Sequence, residues 1–115
     1  MREIVRDKGR LEHISQAIDY IFEFTENITY EDFVENKMLK FAVIKNIEII
    51  GEASYKLTKT FCQEHQEIEW DLIIKMRHVL VHGYYQIEDP FAWFIVQNDL
   101  HPLKEQIQKI YDNLN

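Results

Sequence analysis

The sequence predicts an all-α fold, an antiparallel bundle of four to five helices in a single domain over residues 1–115. Three observations predict it. The chain has 115 residues, 46% of them apolar and 29% charged, which suits one globular core. It carries only 3 Gly and 2 Pro, little turn chemistry for a multi-stranded sheet. Its apolar residues recur at helical spacing over long segments.

The first helix is expected over residues 3–25, because Leu11, Ile14, Ile18 and Ile21 mark one buried stripe. A break follows at residues 27–31, where Thr29 with Asp32 three places on resembles a capping box. The second long helix is expected over residues 36–62. Its middle, FAVIKNIEIIGEA, is apolar on more than one face. Phe41, Ile44, Ile47 and Ala53 are read as core, and Val43 and Ile50 as facing something else. In so small a chain, that second side points to another subunit. Gly51 allows a neighbouring backbone to approach closely, at a helix cost of about 1 kcal/mol. Residues 62–69 are polar and read as a loop. A third helix over residues 70–81 turns Leu72, Ile73, Met76, Val79 and Leu80 inward, and Gly83 is positioned to end it. Asp89-Pro90 reads as the N-cap and first residue of a fourth helix. Pro102 predicts a kink or split near residues 98–101, after which Leu103, Ile107, Ile110 and Leu114 restore the helical spacing.

Several classes of function are disfavoured. The net charge of -7 opposes non-specific coating of nucleic acid, which needs Lys and Arg against phosphates. The lone Cys62 has no internal disulfide partner. The opening MREIVRDKGR is charged where a signal peptide needs an apolar stretch, and no apolar run reaches membrane-spanning length. A cytoplasmic location and no membrane partner are therefore expected.

The segment that carries chemistry is Lys75-Met76-Arg77-His78-Val79-Leu80-Val81-His82-Gly83-Tyr84-Tyr85. It gathers two imidazoles, a guanidinium and two phenols. Metal-free RNA cleavage needs a base for the ribose 2′-OH, an acid for the leaving 5′-oxygen and a cation for the phosphate. Histidine suits the proton transfers, because its pKa lies near neutrality. Arginine suits the phosphate, because its planar fork donates paired hydrogen bonds. DNA lacks that hydroxyl and is not expected as a partner. Spacing complicates the picture, since five helical residues set Arg77 and His82 about 140° apart. A frayed helix end at His82, or two copies sharing a cleft, would bring them together.

Blander readings compete. Arg77 and His82 near a helix C-terminus can simply cap carbonyls and complement the dipole. His78 and His82, four apart on one helix face, also fit a zinc helix, with Cys62, His65 or a carboxylate as third ligand. Trp70, Trp93 and Phe94 read as core, Arg2, Arg6, Lys8 and Arg10 as a solvated helix start, and Glu52 as either a buried polar group near the site or just an exposed carboxylate.

Arg77-His78-x3-His82 resembles the R-x4-6-H signature of HEPN ribonucleases, and Arg77-x4-His82-x-Tyr84 resembles the HepT-like toxins in particular. Arg6-Asp7, Ile50-Gly51-Glu52-Ala53, Ile68-Glu69-Trp70, Trp93 and Asp99-Leu100 are similar to further HepT-family landmarks, in family order. Glu69 departs from the pattern, standing where proline is expected. The resemblance implies a HEPN bundle, a homodimer whose motifs line a shared cleft, and a metal-independent ribonuclease toxin needing no cofactor. It implies Arg77 as phosphate clamp, His82 as general acid or base, and His78 as a second polar candidate. It further implies an MntA-type minimal nucleotidyltransferase antitoxin that adds AMP to Tyr84. The rival readings are a non-catalytic helical dimer that binds a nucleotide or a nucleotidyltransferase, and a metal-binding helical protein.

Overall fold

The long helices bury their stripes against one another in a computed structural model that describes residues 2–82 and 89–114, with side chains for residues 6–78 and 89–114. Among the described residues, seven α-helices run in the order α1 (Arg2–Thr25), α2 (Tyr30–Glu35), α3 (Lys37–Tyr55), α4 (Lys59–Glu64), α5 (Trp70–His82), α6 (Asp89–Phe94) and α7 (Leu100–Asp112). A π-helical turn, Ile95–Asp99, joins the last two. Among the described residues there is no strand.

Antiparallel packing follows from which ends meet. Asp7, early in α1, touches Thr58, just past the end of α3. Gly51 of α3 lies against Arg77 late in α5, while Ser54 and Leu57 share a groove with Trp70 at the start of α5. Lys104 of α7 reaches Ser15 and Asp19 of α1, and Tyr111 further along α7 reaches back to Glu12. α3 therefore lies between α1 and α5, and α7 lies along α1.

The α1 stripe is as expected: Leu11, Ile14, Ile18 and Ile21 are fully buried. The break after it is built from local chemistry. Asn27 takes a left-handed φ of 59°, which asparagine tolerates. Thr29 and Asp32 then form the reciprocal capping box, at 2.9 and 3.1 Å. Asn36 starts α3 by accepting the Leu39 N–H at 3.0 Å.

The face of α3 differs from expectation. Val43, Ile47, Ile50 and Ala53 are in the core, whereas Phe41 is 60% exposed and Ile44 only half-buried. The steps of four and three from Val43 to Ile47 to Ile50 to Ser54 follow the 3.6-residue period. The steps of three from Phe41 to Ile44 to Ile47 slip backward by about 60° each and drift off the stripe. The two apolar flanks of α3 are covered by α1 and α5 of the same chain, so no second subunit is needed to explain Val43 and Ile50.

The expected single helix over residues 36–62 is split. α3 stops at Tyr55, Leu57 turns into the core, and Thr58 caps α4 by accepting the Phe61 N–H. The reason comes from elsewhere in the chain. The buried Asp7 carboxylate accepts the Thr58 N–H at 2.9 Å and its hydroxyl at 2.7 Å, which satisfies backbone that a continuous helix would have used.

α5 begins on Trp70, buried and donating its indole N–H to the His65 carbonyl. Ile73 and Met76 pack on the core. Leu72 was expected inward but is 57% exposed, because one step round the helix turns it away from Ile73. The expected inward turn of Val79 and Leu80 and the terminating role of Gly83 lie outside the described residues. At Asp89, the carboxylate makes a 2.9 Å ion pair with Lys40. The irregularity forced by Pro102 starts earlier than residue 98, at Ile95. Pro102 has no N–H for the Asn98 carbonyl, and the wide turn absorbs the mismatch, with the Leu100 N–H donating to Ile95. Leu103, Ile107 and Ile110 are buried beyond it.

Removing the Asp7 carboxylate should test the α1–α4 tie. Asp7→Ala is expected to lower stability by about 2 kcal/mol, and Thr58→Ala by about 1 kcal/mol. The two share only the Asp7 bonds, and Asp7→Ala leaves the Thr58 cap on the Phe61 N–H in place, so the double variant should cost more than Asp7→Ala alone but less than the sum of the two in urea titrations. Additive losses would contradict the shared tie.

Candidate active site

The site is built on the contact between α3 and α5. Gly51 faces the side of α5 that carries Arg77. A methyl group at position 51 would collide with the Arg77 Cβ and stand only 3.0 and 3.2 Å from its Cγ and Cδ. The missing side chain is thus what admits the arginine stem between the two helices. The guanidinium emerges beside the next residue of α3, and its Nη2 donates to Glu52 Oε2 at 2.7 Å, a short charge-assisted bond. Glu52 Oε1 lies 3.3 Å from Lys56 Nζ, one turn on. The Arg77 Nε is buried and has no hydrogen-bond partner among the described residues. Arg77 and Glu52 both keep partial access to solvent, so the pair forms part of the surface.

Each expected site residue has a definite status. Arg77 stands on α5 with its stem on Gly51 and its head on Glu52. His78 follows it and interacts with its surroundings. The backbone of α5 is helical through His82, its last residue, so Arg77 and His82 are about 7.5 Å apart along one helix axis. The side chain of His82, and Tyr84 altogether, lie outside the described residues.

The histidine metal reading loses two of its suggested third ligands. His65 ends α4 and packs against Phe61, beside the first turn of α5. His78 lies eight residues up α5 from Trp70, about 12 Å along the axis. Cys62 sits in the same lower region, and burial, with Asp7 and Asp71 adding to it, pushes its thiol pKa up. A raised thiol pKa disfavours the thiolate that a metal requires.

Other candidates resolve plainly. Lys8 lies over the Tyr111 ring and Trp93 packs on Phe33. Trp70 is core as expected, but Phe94 is 59% exposed. Neither reading of Glu52 holds as stated: its side chain is 40% exposed, so it is not buried, and it is not a bare surface carboxylate either, because it pairs with Arg77. Its pairing with Arg77 had no local sequence signal, since 25 positions separate them; only the adjacent Gly51 hinted at a close approach.

Residues 14–110 match the family described as Ribonuclease HepT-like. This chain belongs to the HepT-like ribonuclease family. It is 41% identical over 103 residues to a chain of Thermococcus cleftensis named "Probable ribonuclease HepT", covering 90% of this chain and 94% of that one. A Methanocaldococcus jannaschii chain named as a "putative RNase" is 34% identical over 101 residues, covering 88% and 93%. A second chain from that organism, named "Gamma-glutamylcyclotransferase and putative RNase", is 38% identical over 105 residues; these are 91% of this chain but 47% of the longer relative. No solved structure matches. Arg77, with the α3–α5 contact that holds it, falls inside the family match. Among the described residues no helix is long and apolar enough to cross a membrane.

Gly51→Ala separates two opposing effects. Helix propensity alone predicts a gain of about 1 kcal/mol. The collision with the root of the Arg77 side chain predicts an overpacking loss of about 1–3 kcal/mol. The loss should win, because the Arg77 Cβ cannot rotate away. Chemical denaturation of the variant should show a lower midpoint, and a raised midpoint would mean that α3 and α5 part cheaply.

Proposed function

We propose that this chain is a metal-independent RNA endonuclease, a single HEPN domain over residues 1–115, acting in the cytoplasm as the toxin of a HepT/MntA-type pair. The observation that carries the reading is membership of the HepT-like ribonuclease family together with an Arg77 whose guanidinium is held at the surface of the α3–α5 contact. In this reading a base removes the ribose 2′-OH proton and the 2′-oxygen attacks phosphorus. The 5′-oxygen then leaves and takes a proton. His82 serves one of the two proton transfers, Arg77 carries the phosphate charge, and His78 is an auxiliary polar group.

A homodimer completes the site by bringing a second motif to the same cleft. Support comes from exposed apolar side chains that a lone bundle leaves to water, Met38 at 83% and Phe41 on α3, with Leu72 and Phe91 on one groove between α5 and α6.

His82→Ala and Arg77→Ala should each lower cleavage of an RNA oligonucleotide by about a hundredfold or more, with helix content unchanged. EDTA should leave the rate unaltered, and light scattering should report twice the chain mass. Loss of activity on chelation, restored by zinc, would favour the metal reading. Tight binding of RNA or nucleotide without cleavage would favour the non-catalytic dimer.

Tyr84, two residues past His82, is proposed as the site where an MntA-type nucleotidyltransferase adds AMP. The added phosphate would bring negative charge beside Arg77 and oppose the RNA backbone. Co-expression with such an enzyme should raise the intact mass by one or more AMP units in wild type and in Tyr85→Phe, but not in Tyr84→Phe. An adduct that survives Tyr84→Phe would rule out this assignment.

A further inference from the structure

The Glu52–Arg77 pair has a geometry that a surface ion pair formed for stability does not need. Exposed pairs contribute little to folding, because solvent screens them and long side chains lose freedom in making them. Here the arginine stem is already fixed, with Cβ, Cγ and Cδ pressed over Gly51. What remains free is the direction of the guanidinium plane. Nε is buried and has no hydrogen-bond partner among the described residues. Among those residues, the bond that fixes the direction is the 2.7 Å one from Nη2 to Glu52 Oε2. Glu52 is steadied in turn by Lys56 at 3.3 Å on its other oxygen, and that lysine offsets part of the repulsion a carboxylate would exert on an incoming phosphate. The carboxylate engages one end of the guanidinium fork, and the fork has five donors.

We propose that Glu52 is the positioning residue for Arg77, fixing the orientation in which the guanidinium offers its remaining donors to the RNA phosphate. This rests on the reading of Arg77 as the phosphate clamp. A preorganised cation stabilises charge developing at phosphorus more than it stabilises bound substrate, so the effect falls on kcat and not on KM.

The test uses the full chain and a short RNA oligonucleotide. Glu52→Ala should lower kcat by about tenfold to a hundredfold, the range expected for a misaligned reacting group, with KM changed by less than about threefold. Glu52→Gln, which keeps an oxygen acceptor, should recover part of the loss. In an Arg77→Ala background, measured at single turnover, Glu52→Ala should cost less than about twofold more, because both act through one group. Independently of activity, the Arg77 Nη–H resonances, assigned by their loss in Arg77→Lys, should stand apart in wild type, because Nη2 is bonded to Glu52. They should merge with those of the solvent-exposed arginines in Glu52→Ala. Additive losses in the double variant, a faster Glu52→Ala enzyme or an unmoved resonance would each overturn the proposal. A wild-type chain that cuts no RNA would instead overturn the ribonuclease reading, and the resonance would still decide whether Glu52 orients Arg77.

Discussion

The absent side chain at Gly51 sets how closely α3 and α5 approach, and the rest of the site follows from that distance. With a methyl group there, the Arg77 stem could not lie between the helices. Its guanidinium would then emerge elsewhere, and Glu52 would have no partner at 2.7 Å. One missing carbon thus couples helix packing to the direction of a charge. The cost is a glycine within a helix, about 1 kcal/mol relative to alanine.

Holding α3 still is the work of its two ends. At its start, Asn36 caps the first turn and Lys40 pairs with Asp89 of α6. Just past its end, the buried Asp7 receives both the N–H and the hydroxyl of Thr58. These ties join the start of α3 to α6, and the start of α4, just past the end of α3, to α1. The π turn at Ile95–Asp99 lets α7 resume its stripe despite Pro102 and keeps Leu103, Ile107 and Ile110 in the core.

Charge gives the proposed chemistry its selectivity. The chain is acidic, at -7, so its surface as a whole gains little from phosphate neutralisation. Two cations, Arg77 and Lys56, are held on the two oxygens of Glu52. An RNA strand would be held where geometry presents donors, not where net charge attracts it.

Some of this was determined by the sequence alone. The α1 stripe, the Thr29–Asp32 box, the Asn36 start, the family and the motif are written in neighbouring residues, because caps and helical faces depend on spacings of three and four. The faces of α3 were not, since Phe41 and Val43 are both apolar and only the positions of α1 and α5 choose between them. Leu72 and Phe94 are apolar yet exposed, and neighbouring residues do not tell them from core positions. The break at Thr58 required an acceptor from Asp7, 51 residues away, and the orientation of Arg77 required Gly51 and Glu52 from another helix. Local pattern specifies which segments are helices and where they start. Tertiary contact decides which apolar face is covered and which charges meet, because those depend on distances between segments that spacing along the chain does not contain.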